Sequence, residues 1–160
     1  MSDQPYPSAA QLLKKYDKTP SKAFGQNFLI SERAFRAIVD ATCSGHEKVV
    51  VEIGAGVGTL TARLSARLVN GLVVAVEREK GMLDILRGEL EQYDNVEIIE
   101  ADALEFDYFG ISKWQGVDIT ICGNLPYNIA SQIMVRLCNK RHWDIMERGI
   151  FLIQKEMADR

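Results

Sequence analysis

The run CGNLPYN, residues 122 to 128, holds the densest chemistry in the chain. It follows the apolar stretch VDITI, which has the character of a buried strand. Asn124 offers a side-chain carbonyl and Leu125 a backbone carbonyl. Pro126 has no N–H to compete and fixes φ near −65°. Two fixed acceptors suit a group with two N–H donors, such as an exocyclic amine. Held by its hydrogens, a ring-conjugated amine is biased toward a tetrahedral, nucleophilic nitrogen. Tyr127 supplies a face on which a planar base can stack. A tight turn with a buried tyrosine is the plainer alternative.

A second cluster precedes it. In VEIGAGVGTLT, Gly54, Gly56 and Gly58 permit a tight turn and close backbone approach to a ligand. A dinucleotide fingerprint would need glycine at 59, where the chain has Thr59. Glu52 stands before the first glycine; a carboxylate there disfavours a pyrophosphate and favours a cation such as an amine or a sulfonium. A glycine-rich turn with no ligand remains open. Glu77, about 20 residues beyond the loop, is placed to accept both hydroxyls of a ribose. Asp102, in EADALEF, could accept from the amine of an adenine. A lone acid at a strand end is often only a cap; register with the glycine loop favours the ribose reading for Glu77, while Asp102 taken alone could equally be a helix or turn cap. Upstream, KAFGQNFLI sets Gln26 and Asn27 between two phenylalanines. Asn27 either caps the next turn or folds over a bound cofactor, with Phe28 and Leu29 covering it.

Strands and helices must position these residues. KVVVEIG, LVVAVE, VEIIEAD, VDITICG and RGIFLIQKEM have strand character. Helical periodicity marks SERAFRAIVDATC, with Ser31 as N-cap, then TLTARLSARLV, KGMLDILRGELEQY and IASQIMVRLCNK. Alternation at this spacing predicts an α/β fold of βαβ units around a mostly parallel sheet. Uninterrupted apolar strands predict cover on both faces. Ligands of such sheets sit beyond the carboxyl ends of the strands, where all the residues above fall.

Composition sets the bounds. The chain has 160 residues, 47% apolar and 26% charged, with formal charge −3. That suits one domain with a core, and does not announce a nucleic-acid binder. Basic residues gather early (Lys14, Lys15, Lys18, Lys22, Arg33, Arg36) and acidic ones between Glu89 and Asp107. No apolar run approaches the roughly 18 to 20 residues of a membrane span, and no signal-peptide pattern opens the chain. Cys43, Cys122 and Cys138 lack metal-ligand spacing. Free thiols without an export signal lead to the expectation of a cytoplasmic protein with no metal and no membrane partner. Residues 1–22, polar and turn-rich, read as a basic, mobile arm ahead of a domain over 23–160.

The segments FGQNFL, VEIGAGVGTLT, VE at 76–77, ADAL, GNLPYN and QKEMADR, in this order, resemble the ribosomal RNA adenine N6,N6-dimethyltransferases and their erythromycin-resistance relatives. The resemblance covers about residues 20–160. The glycine loop is widespread among methyltransferases; FGQNFL together with NLPYN is specific. It implies a Rossmann-like class I methyltransferase fold, S-adenosylmethionine as cofactor, and small-subunit ribosomal RNA or its precursor particle as partner. By the same likeness Asn27 and Leu29 help close the cofactor site. Gly54 and Gly56 form the loop against the methionine part, and Glu52 faces the sulfonium. Glu77 takes the ribose and Asp102 the adenine amine. Asn124, next to the cofactor, and the Leu125 carbonyl hold the target N6, with Pro126 rigid between them and Tyr127 stacked on the base. Relative to that pattern the chain stops before two further strands and a basic helical domain, so the expectation is a fragment. Its last strand, GIFLIQ, is then expected to be an exposed edge prone to self-association. Two other readings stay open. A nucleotide-dependent oxidoreductase is disfavoured by Thr59 and Glu52, and a non-catalytic RNA-binding assembly factor would keep the same motifs.

Overall fold

The computed structural model describes residues 6–19 and 28–153. Five strands, β1 (Val49–Ile53), β2 (Leu72–Glu77), β3 (Val96–Glu100), β4 (Ile119–Asn124) and β5 (Met146–Leu152), form one sheet in the order β3-β2-β1-β4-β5. Every pairing is parallel. The chain begins at the centre, moves outward through β2 and β3, then returns to the other side of β1. The reversal leaves a crevice between β1 and β4, at their carboxyl ends, where open α/β sheets bind ligands.

The three central strands, β2, β1 and β4, are rich in β-branched residues and buried along nearly their whole length, because both of their faces are covered. Along β1, Val49, Val51 and Ile53 face one core. There they meet Ala130 and Ile133 of helix α6 (Ala130–Leu137) and Tyr108 of α5 (Tyr108–Gln115). Val50 faces the other way, onto Phe35 and Ile38 of α2 (Glu32–Thr42) and Leu60 and Leu64 of α3 (Thr59–Arg67). Burying a Val, Leu or Ile completely is worth about 1.5–3 kcal/mol. A one-residue slip of β1 would therefore exchange two complete faces.

Helix α1 (Ala9–Lys15) occupies the stretch read as a mobile arm. Ser8 and Gln11 close a capping box at its start, and Leu12 and Leu13 are buried against Met82 and Ile85 of α4 (Lys80–Leu90). Two of the early basic residues face acids of helix α4. Lys15 lies 2.5 Å from Glu89, and Lys18 lies 3.8 Å from Asp84. Helices α5 and the four-residue α7 (Lys140–Trp143) are additional to the elements expected from periodicity.

Among the described residues β5 pairs only with β4. Its apolar side chains are not bare, however: Ile150 and Leu152 pack on the α2/α3 side, and Phe151 and Ile153 on the α5/α6 side. No helix among the described residues is long and apolar enough to cross a membrane.

Candidate functional site

A pocket opens at the carboxyl end of the sheet. Leu29, Glu52, Gly54, Gly56, Glu77, Asp102, Asn124, Leu125 and Pro126 all line it. Tyr127 does not; it stands beside the lining residues Pro126 and Asn128 with 52% of its surface exposed. Exposure on that scale argues against the plainer alternative of a buried tyrosine in a tight turn. Asn27 lies outside the described residues.

The glycine loop is shaped by its backbone. Gly54 and Gly56 have φ of 70° and 59°, a region costly for residues with a Cβ. The Gly54 N–H donates to the Val76 carbonyl at 2.9 Å, so the loop leaves β1 still attached to β2. Across the crevice, a side chain at Gly123 would meet the Ile53 carbonyl at 2.5 Å. Glycine there allows β1 and β4 to approach closely just where the pocket starts.

The acids occupy distinct environments. Glu77 Oε2 accepts from the Gly56 N–H at 2.8 Å, while Oε1 accepts from the N–H groups of Arg78 and Glu79, each at 2.8 Å. The carboxylate thus pins the glycine loop to the end of β2. Asp102 accepts from the Leu104 N–H at 2.9 Å and from the Arg78 guanidinium. Partial burial would raise the Asp102 carboxyl, but those two donors outweigh it and hold it below the usual carboxylate range. Glu52 is 2% exposed, and its Oε2 has no hydrogen-bond partner. Burial, with a smaller contribution from the Glu77 charge and partly offset by the Thr61 hydroxyl, pushes Glu52 up to about 8.

The target-side loop is equally constrained. The Leu125 N–H donates to the Leu152 carbonyl at 3.0 Å, tying the loop to β5. The Pro126 carbonyl accepts from the N–H groups of Ile129 and Ala130 at 3.2 and 3.0 Å, turning the chain into α6. Pro126 Cδ lies 3.9 Å from the position a Gly54 Cβ would take, so the two loops form opposite walls of one narrow space.

Several lining residues escaped the sequence reading. Arg78 and Asn128 line the pocket, as does Phe35 from α2. Phe28, which the sequence reading placed as cover, lies 3.2 Å from where a Gly56 Cβ would be. Tyr6 is more remote: its hydroxyl donates to the Val57 carbonyl at 2.9 Å, fastening the N-terminal segment to the glycine loop. A capping signal, Ser8-x-x-Gln11, was present in the sequence, but nothing local announced the long-range bond of Tyr6.

A second acidic cluster, His46, Glu47 and Glu147, lies apart from this pocket. The oxygens of Glu47 already accept from Ser44, Gly45 and His46, and the Arg148 guanidinium is 3.7 Å away. That arrangement caps a turn, and a cation brought there would meet Arg148.

The parallel sheet with its reversal at β1 and β4, an acid-preceded glycine loop and acids closing β2 and following β3 define a Rossmann-like class I methyltransferase fold. The model of the ribosomal RNA adenine dimethylase family matches residues 18–160, and the chain belongs to that family. It is 39% identical to ribosomal RNA small subunit methyltransferase A of Anaeromyxobacter sp. (strain K), over 97% of this chain and 55% of that protein. Identity to the protein of the same name from Geobacillus sp. (strain WCH70) is 37%, over 94% of this chain and 51% of that one. Among solved structures, the 23S rRNA methyltransferase ErmE superposes with a TM-score of 0.67 at 25% identity, over 82% of this chain and 50% of ErmE. A dimethyladenosine transferase from Plasmodium falciparum gives 0.63 at 24% identity, over 84% of this chain and 46% of that one, and supports the fold. The chain spans about half the length of the curated relatives it matches.

Proposed function

We propose that the pocket binds S-adenosylmethionine and that the protein to which this chain belongs transfers methyl groups to N6 of adenines in small-subunit ribosomal RNA. The observation that carries this reading is the facing of two loops across one crevice: Gly54 and Gly56 on one wall, Asn124, Leu125 and Pro126 on the other. The residues suit such a cofactor. A buried carboxyl at Glu52 whose Oε2 has no partner among the described residues is complementary to positive charge, and glycine at 56 keeps the loop backbone close to Phe28.

Glu77 would accept from the ribose hydroxyls, Asp102 from the adenine amine, and Leu29 and Asn27 would close the site. When bound, the cofactor supplies an electrophilic methyl on a sulfonium. The chain's task is then alignment, with little need of a general base. Asn124 and the Leu125 carbonyl hold the hydrogens of the target amine. Pro126 keeps the Leu125 acceptor fixed, and Tyr127, already exposed at the rim, stacks on the extruded base.

The test is transfer of labelled methyl from S-adenosylmethionine to unmodified small-subunit particles by the full-length protein. Dimethyladenosine in the RNA is the expected product. Cofactor binding without any transfer would leave the fold in a non-catalytic, RNA-binding role.

A further inference from the structure

We infer that Glu52 is a proton-coupled receptor for positive charge: its carboxyl is neutral in the free chain and gives up its proton to solvent as a cationic cofactor fills the pocket. The inference rests on the reading above that the pocket takes S-adenosylmethionine.

The geometry comes first. Glu52 continues the row of β1 that includes Val50, the row facing the α2/α3 core, and pairs in register with Ala75 and Cys122. It therefore takes a core position, and a carboxyl in such a position is costly unless it is paired. Among the described residues Oε2 has no hydrogen-bond partner and no salt bridge reaches Glu52. Yet the residue lines the pocket beside Gly54. A buried acid that the fold leaves unsatisfied, at the wall of a binding pocket, awaits a charge from outside.

Of the groups around it, Glu77 adds to burial in favouring the neutral form and Thr61 opposes it. Glu77, at the end of β2, repels a second anion. From β4, Cys122 is held as a thiol well above its ordinary value by burial and by Glu52 itself. The Tyr6 phenol, in front of α1, is likewise pushed up, mainly by burial. Thr61, from α3, is the single group that eases ionisation. Arg78 and Asp102, also on the pocket wall, are paired with each other. Burial sets the carboxyl at about 8 in the free chain, and a bound cation lowers it. Affinity for the cation then rises with pH until the free carboxyl ionises, and levels off above that point.

The experiment is calorimetric titration of this chain with S-adenosylmethionine at pH 7, in phosphate and in Tris, whose ionisation enthalpies differ. Wild type should release close to one proton per cofactor bound. Glu52→Gln should release fewer by the same amount, and protons from the cofactor's own amine cancel in that comparison. Equal proton counts in the two proteins would overturn the inference. Should Glu52→Gln fail to fold, wild-type affinity between pH 6 and pH 8 decides. A rise of about tenfold per pH unit supports the coupling, and a flat profile removes it. Folded wild type that binds no S-adenosylmethionine at any pH overturns the cofactor assignment and this inference with it; binding with no proton release overturns the inference alone.

Discussion

Glu77 and Gly56 are joined by a hydrogen bond of 2.8 Å from the glycine N–H to the carboxylate. The acid assigned to the ribose is therefore also the clamp on the loop assigned to the methionine part. In Glu77→Ala three backbone N–H groups lose their acceptor. Hydrogen bonds to charged groups are worth about 1.5–3 kcal/mol, so cofactor affinity should fall by one to two orders of magnitude. Thermal stability should fall even without cofactor. Calorimetry and a melting curve check both; an unchanged melting temperature would mean the loop does not depend on Glu77.

Asn124→Ala, made in the full-length protein, separates the two walls of the pocket. Its side chain is assigned to the target amine and acts mainly in the transition state. Methyl transfer should drop by at least about a hundredfold, with cofactor affinity nearly intact. Equal losses in rate and in cofactor affinity would make Asn124 a cofactor ligand instead.

Much of this arrangement was legible in the sequence, and the reason is physical. LVVAVE is an apolar, valine-rich run because both of its faces are covered, and it ends where β2 ends, at Glu77. The glycines of the loop stand out because positive φ restricts the choice of residue. Helix α1 was missed because a seven-residue helix owes its stability to packing, here of Leu12 and Leu13 on α4, more than to propensity. Helix α5 was obscured by Gly110 and by aromatic residues that read equally as strand formers. The pairing of Arg78 with Asp102 joins residues 24 apart in the chain, and no local pattern encodes it. Nor does the motif around Glu52 tell that its carboxyl is buried with one oxygen unpartnered among the described residues.

The Tyr6 hydroxyl gives a test of the N-terminal segment. Tyr6→Phe removes the bond to the Val57 carbonyl while keeping the ring against α4 and Tyr93. A loss of about 1 kcal/mol in unfolding free energy is expected. Urea denaturation measures it, and no loss would detach this segment from the glycine loop.

Acid should weaken the connection between α2 and β1. Burial raises the Glu47 carboxyl, but the Ser44 hydroxyl and the backbone N–H groups of residues 44–47 prevail and bring it to about 2. A group depressed in the folded state contributes stability above its unfolded value, near 4.5, and loses it as pH falls toward 2. Glu47→Gln should therefore be less stable than wild type at pH 6, and the gap should narrow as pH falls below 4.5. A gap independent of pH would show that Glu47 acts by packing alone.

The outer edge of β5 is expected to be a site for association between copies of this chain. Its side chains are half covered, yet among the described residues its backbone pairs on one side only. Light scattering at micromolar concentration should detect oligomers that a charged residue at Phe151 disperses. A monomer under these conditions would show that packing of Ile150 to Ile153 protects the edge sufficiently.

The central claim, that this pocket is an adenosyl cofactor site, is tested most directly by parallel titrations of the chain with S-adenosylhomocysteine and with NAD, read by calorimetry. The account predicts saturable, one-to-one binding of S-adenosylhomocysteine that Glu77→Ala weakens, and no binding of NAD. Binding of NAD in place of S-adenosylhomocysteine would contradict it.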